Sequence, residues 1–146
     1  MSNVLKRNRA VSNSEYITKA RAIREEITSL VMNEKIVPKR YRYVYSIPMI
    51  DICRKLDQNA TTYYNCMGTD DEFFNLYNRK IEALRNMYDC CDYLLHELLS
   101  LRNRFYIKIS AREKVVGLLV DEQELIDELI ETENEKHTNF IIHNSK

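Results

Sequence analysis

Apolar residues along this chain recur at spacings of three and four, the period of a helix face rather than of a strand. Ala20, Ile23, Ile27 and Leu30 lay one stripe along a segment from about Ser14 to Lys35, with Ser12 or Ser14 available to cap its start. A second helix is expected to open near Pro38, whose missing N–H suits a first turn, and to run to about Met67. Its main stripe is Tyr41, Tyr45, Pro48, Ile52, Leu56, Ala60 and Tyr63, and Pro48 should bend or break it. Tyr43, Ile47 and Ile50 fall beside that stripe. A helix with two apolar faces needs two partners, so these three residues are the expected oligomer interface.

Gly68 fits the left-handed position that ends a helix, and Thr69 with Glu72 forms a capping box for the next one. Phe73, Tyr77, Ile81, Leu84, Tyr88, Cys91, Leu95 and Leu98 then predict a long third helix to about Arg102. Tyr106 to Ile109 alternates and reads as an extended linker. Ser110 and Glu113 form a second capping box, opening a fourth helix with Val115, Leu118, Leu119, Leu125, Ile126, Leu129 and Ile130 on its apolar side. Gly117 costs about 1 kcal/mol inside a helix, which predicts a close helix contact there. The pattern fades after Glu131. The expected fold is therefore all-α: an up-down-up-down four-helix bundle over residues 12–136, oligomeric, with a mobile basic arm at 1–11 and a C-terminal tail at 137–146.

Composition sharpens this picture. The chain has 146 residues, long enough for a core without disulfides, and only two glycines and two prolines, too few for a sheet rich in tight turns. The two glycines lie far apart, so no glycine-rich phosphate loop is present. The longest apolar run, Val115 to Val120, falls far short of the about 20 residues of a membrane span, and no apolar stretch follows the basic N-terminus as in a signal peptide. Cys53, Cys66, Cys90 and Cys91 show no C-x-x-C spacing and are expected to be reduced thiols of a cytoplasmic protein.

Catalytic signals are absent. His96 and Glu97 begin an H-E pair that lacks its second histidine, and Tyr93 and Asn134 stand where a di-iron bundle would place glutamates before His96 and His137. Neither enzyme chemistry, metal nor cofactor is expected, and His96 reads as a partly buried polar residue. Charge is more informative. The net charge is zero, yet residues 1–60 carry 12 basic and 6 acidic side chains while residues 61–146 carry 10 and 16. Such a dipolar chain suits an anionic partner at one end and a basic one at the other, or two halves that neutralise each other.

One segment interleaves basic and aromatic residues: Lys35, Lys39, Arg40 and Arg42 alternate with Tyr41, Tyr43 and Tyr45. Arginine forks bind phosphates, and tyrosine rings stack on unpaired bases. Lys39, Arg40 and Arg42, with Lys6, Arg7 and Arg9 of the arm, are thus the candidate nucleic-acid-binding residues. The plainer alternative is a helix start with tyrosines in the core and arginines in water.

Val37-Pro38-Lys39-Arg40-Tyr41-Arg42 opening a helix, then Leu56, Ala60 and Asn65, resembles a superfamily of small four-helix bundles. It comprises the accessory variability determinant (Avd) of diversity-generating retroelements and the 23S rRNA intervening-sequence proteins. The leucine-rich helix from Arg79 through Leu99, the fourth helix from Ile109-Ser110 to Leu129-Ile130, and the opening Val4-Leu5-Lys6-Arg7-Asn8-Arg9 carry the same resemblance, which spans roughly residues 4–131. It implies a non-catalytic homopentamer that binds the element's reverse transcriptase and RNA or DNA, supporting mutagenic copying of a template RNA. The chain departs from that pattern in charge. Asp121, Glu122, Glu124, Asp127, Glu128, Glu131, Glu133 and Glu135 would repel RNA wherever exposed. The alternative function is a structural or protein-interaction bundle without nucleic acid.

Overall fold

A computed structural model describes residues 14–66 and 73–144, and the described chain contains helices and no strand. Four α-helices form a bundle: α1 (Glu15–Val31), α2 (Ile47–Asn65), α3 (Phe73–Arg104) and α4 (Ile109–Asn144). Each packs on two others, α1 on α2 and α4, and α3 on α2 and α4. The arm residues Lys6, Arg7 and Arg9, and the expected caps at Ser12, Gly68, Thr69 and Glu72, lie outside the described residues.

In α1 the expected stripe is buried, extended by Tyr16, Ile17 and Val31. The Ser14 side chain makes no cap bond; its backbone carbonyl accepts from Ile17 and Thr18 N–H instead. The helix ends at Val31 rather than near Lys35. Asn33 stops it: its side chain accepts from Lys35 N–H at 3.0 Å and its carbonyl from Ile36 and Val37 N–H at 2.9 Å. This is the local competition by which asparagine favours turns.

The expected break at Pro48 takes a specific form. A 3₁₀ turn (Lys39–Tyr41) leads into a π segment (Arg42–Ser46), and regular α-helix begins at Ile47 with Pro48 in its first turn. Pro48 has no N–H for the carbonyl four residues back, and its ring would crowd that carbonyl. The wider turn, closed by the Ile47 N–H on the Arg42 carbonyl, carries the chain past this conflict. It also inserts one residue into the period. The fully buried stripe is Ser46, Met49, Cys53, Leu56, Ala60 and Tyr63; its last three members are as expected, whereas Met49 takes the place of Pro48, and the expected Tyr45 and Ile52 are only partly buried, beside Ser46 and Cys53. The buried Ser46 hydroxyl donates to the Val31 carbonyl at 2.7 Å, which satisfies an orphan acceptor at the end of α1.

The α3 helix buries Ile81, Leu84, Cys91 and Leu98 as expected, and also Ala83, Met87, Cys90, Leu94 and Leu101, because it packs on two neighbours. All four cysteines are free and buried. His96, expected to be partly buried, is exposed, its ring 2.9 Å from the Asp92 carbonyl. The α4 helix starts at Ile109, so Ser110 and Glu113 stand inside its first turns. It continues to Asn144, through most of the segment expected to be a tail. A Cβ built on Gly117 would meet nothing within 4 Å, so close helix contact is not what this glycine serves.

A candidate nucleic-acid interface and two buried acids

The tyrosines of the basic-aromatic segment divide by phase. Tyr41 and Tyr45 turn inward and meet Phe105, just past the end of α3, edge-on with ring centroids 5.2 and 5.6 Å away. Tyr43 lies on the opposite side and is 84% exposed. Arg40 and Arg104 place their guanidiniums 5.0 and 5.1 Å from the centre of the Tyr41 ring, and Arg104 donates to the Tyr41 hydroxyl at 3.4 Å. The Arg104 hydrogen bond, together with the Arg40 charge, holds that hydroxyl below the ordinary phenol range. Arg40, Tyr41, Tyr45, Ser100, Asn103, Arg104 and Phe105 line one open cleft of about 600 Å³. Two guanidiniums, an amide, a hydroxyl and aromatic edges converge there, donor chemistry suited to phosphates and bases.

The sequence pattern identified half of this cleft. Lys39 and Arg40 are exposed as expected. Arg42 differs, because its guanidinium is held by Glu34 at 3.1 Å and is already neutralised. Arg104 and Phe105 were missed, although Arg102-Asn103-Arg104-Phe105-Tyr106 repeats the same basic-aromatic interleaving. Tyr106 is 82% exposed, a second bare ring beside the cleft's Phe105. Of the expected interface residues, Tyr43 and Ile47 are exposed, joined by exposed Val44, whereas Ile50 is half-buried against the core.

The acidic half is not uniformly solvated. On α4 the core stripe runs Val115, Leu119, Glu122, Ile126 and on to Glu133, so two glutamates occupy core positions. Neither can repel RNA from the surface. Glu133, 1% exposed, accepts from the Tyr63 hydroxyl at 3.0 Å and from Lys80 Nζ at 3.5 Å, with Lys136 Nζ at 3.9 Å. Glu122 is 0% exposed and neither carboxylate oxygen has a hydrogen-bond partner; the nearby Tyr16 hydroxyl is equally unpartnered. Burial pushes Glu122 up to about 8, opposed by the Lys19 charge. A raised carboxyl pKa often marks a catalytic acid, but a fully buried one is beyond a substrate's reach. The thiols are equally withdrawn: burial pushes Cys53 up to about 12, and Cys91 higher still. Across α1 and α4, Lys19 of the basic half pairs with Asp121 of the acidic half at 3.8 Å, whereas Glu26 and Lys114 pair the other way round at 2.8 Å, so the charge asymmetry of the two halves is not cancelled here.

No family model, curated protein or solved structure matches the chain. Among the described residues no group of three His, Cys, Asp or Glu side chains is placed to hold a metal ion, and no helix is long and apolar enough to cross a membrane.

Proposed function

We propose that this chain is a non-catalytic accessory protein of a diversity-generating retroelement, a cytoplasmic up-down-up-down bundle that assembles as a homo-oligomer, with five copies as the resemblance implies. In this reading it binds the reverse transcriptase and holds single-stranded RNA or DNA in the cleft between Arg40 and Arg104. The observation that supports it is the convergence of Arg40 and Tyr41 with Arg104 and Phe105, residues some sixty positions apart, into one open basic-aromatic cleft. Tyr43, Val44 and Ile47 form the exposed apolar surface that a second subunit would cover.

The test is retention of single-stranded RNA across a salt series. Each phosphate contact contributes a slope of about −0.7 in log K against log salt. Replacing Arg40 and Arg104 together by alanine should weaken binding and flatten the slope by about 1.4, from two such contacts. Arg42→Ala should change it less, since Glu34 already holds that side chain. Absence of retention at low salt overturns the nucleic-acid reading. The alternative, a protein-interaction bundle without nucleic acid, then stands. It is favoured by the packing of Tyr41 and Tyr45 on Phe105 and by the Arg42–Glu34 pair, which satisfy much of the segment internally.

A further inference from the structure

A second surface lies between α3 and α4, formed by residues other than those of the basic-aromatic cleft. Leu95, Leu99, Ile109, Val116 and Val120 line a groove of about 640 Å³, with Gly117 between the last two. Leu99 is 50% and Ile109 61% exposed, so apolar side chains face solvent here. At Gly117 a Cβ would meet nothing, so the missing side chain leaves the floor of the groove open. Two arginines stand at the groove, Arg102 from α3 and Arg112 from α4, against one acid, Glu113. The groove extends along α4 from Ile109 to Val120, about 17 Å or three helical turns.

We propose that this groove docks an amphipathic helix of a partner protein, one with apolar anchors at i, i+4 and i+7 and carboxylates along one flank. Three anchors of that spacing cover about 10 Å, which fits the groove's length. The flanking carboxylates meet the guanidiniums of Arg102 and Arg112, which outnumber the groove's one acid, Glu113. Basic amphipathic helices are rejected by the same arginines. Docking leaves the Arg40–Arg104 cleft uncovered, so peptide and nucleic acid bind together.

The test measures fluorescence anisotropy of a labelled helical peptide with leucines at i, i+4 and i+7 and glutamates on one flank, against the same peptide with lysines replacing the glutamates. The acidic peptide should bind, and the basic one at least about tenfold more weakly, a factor worth about 1.4 kcal/mol. Gly117→Leu fills the groove where space is free, so the protein should stay folded, with helix content and melting checked, while acidic-peptide binding falls about tenfold or more. Arg102→Glu with Arg112→Glu should invert the preference between the peptides. Equal binding of both peptides, unchanged binding to Gly117→Leu, or a wild-type oligomer that Gly117→Leu dissociates, making a second copy the occupant, would each overturn the proposal. RNA retention by Gly117→Leu should equal wild type, so the fate of the nucleic-acid reading is separable from this one.

Discussion

Glu122 and Glu133 occupy the same buried stripe of the same helix and meet opposite fates. Glu133 faces a phenol from α2 and an ammonium from α3, and accepts from both. Glu122 faces Tyr16, Glu15 and Lys19 of α1 and Cys91 of α3, and its oxygens accept from none of them. Burial is nearly equal, so burial alone does not decide how a carboxyl group is accommodated. Partners do: donors that replace lost water stabilise a buried acid, and burial without them favours the protonated form, as at Glu122.

The largest way to break this contrast is to make Glu133 resemble Glu122. Lys80→Ala removes its buried cation and should destabilise the fold by about 3–5 kcal/mol, measured by urea unfolding at pH 7. A loss below about 1 kcal/mol would show that Lys80 does not neutralise Glu133.

The next effect belongs to Glu122. Its native pKa is raised from 4.5 to about 8, so in that interval the native state holds a proton that the unfolded chain has released. Its contribution to stability is complete below about pH 4.5 and is lost as pH rises toward 8, by about 1.4 kcal/mol per pH unit. Glu122→Met, similar in shape and without a charge, should remove that slope and raise stability at pH 8 by about 1–3 kcal/mol. Parallel pH–stability curves for variant and wild type would show that Glu122 is not the group that titrates. Lys136→Ala gives the smallest effect. That side chain is half exposed and 3.9 Å from Glu133, so its loss should change stability by less than about 0.5 kcal/mol in the same unfolding assay.

Much of the architecture was legible in the sequence because helix periodicity is local. Ala20, Ile23, Ile27 and Leu30 mark α1, and Ile81, Leu84, Cys91 and Leu98 mark α3, from spacing alone. Segment type and the break at Pro48 followed from residues within one or two turns of each other. Phase across that break did not. A π turn adds a residue, and nothing nearby in the sequence shows whether a proline will be met by a kink or by a wider turn. The end of α4 escaped for a similar reason. The polar residues after Glu131 weaken the apolar pattern, yet Asn134 and His137 meet Tyr77 of α3, through a hydrogen bond and a stacked ring pair.

The sequence by itself determined the helices, the lack of strand signals, the dipolar charge and the basic-aromatic segment around Arg40. Only the tertiary structure decided which charges remain free. Arg42 goes to Glu34, Glu133 to Lys80 and Tyr63, and Arg104 arrives beside Arg40 from the far end of α3. The physical reason is that a helix face is set by neighbours three and four residues away, whereas the state of a charge is set by whatever the fold brings within about 4 Å of it.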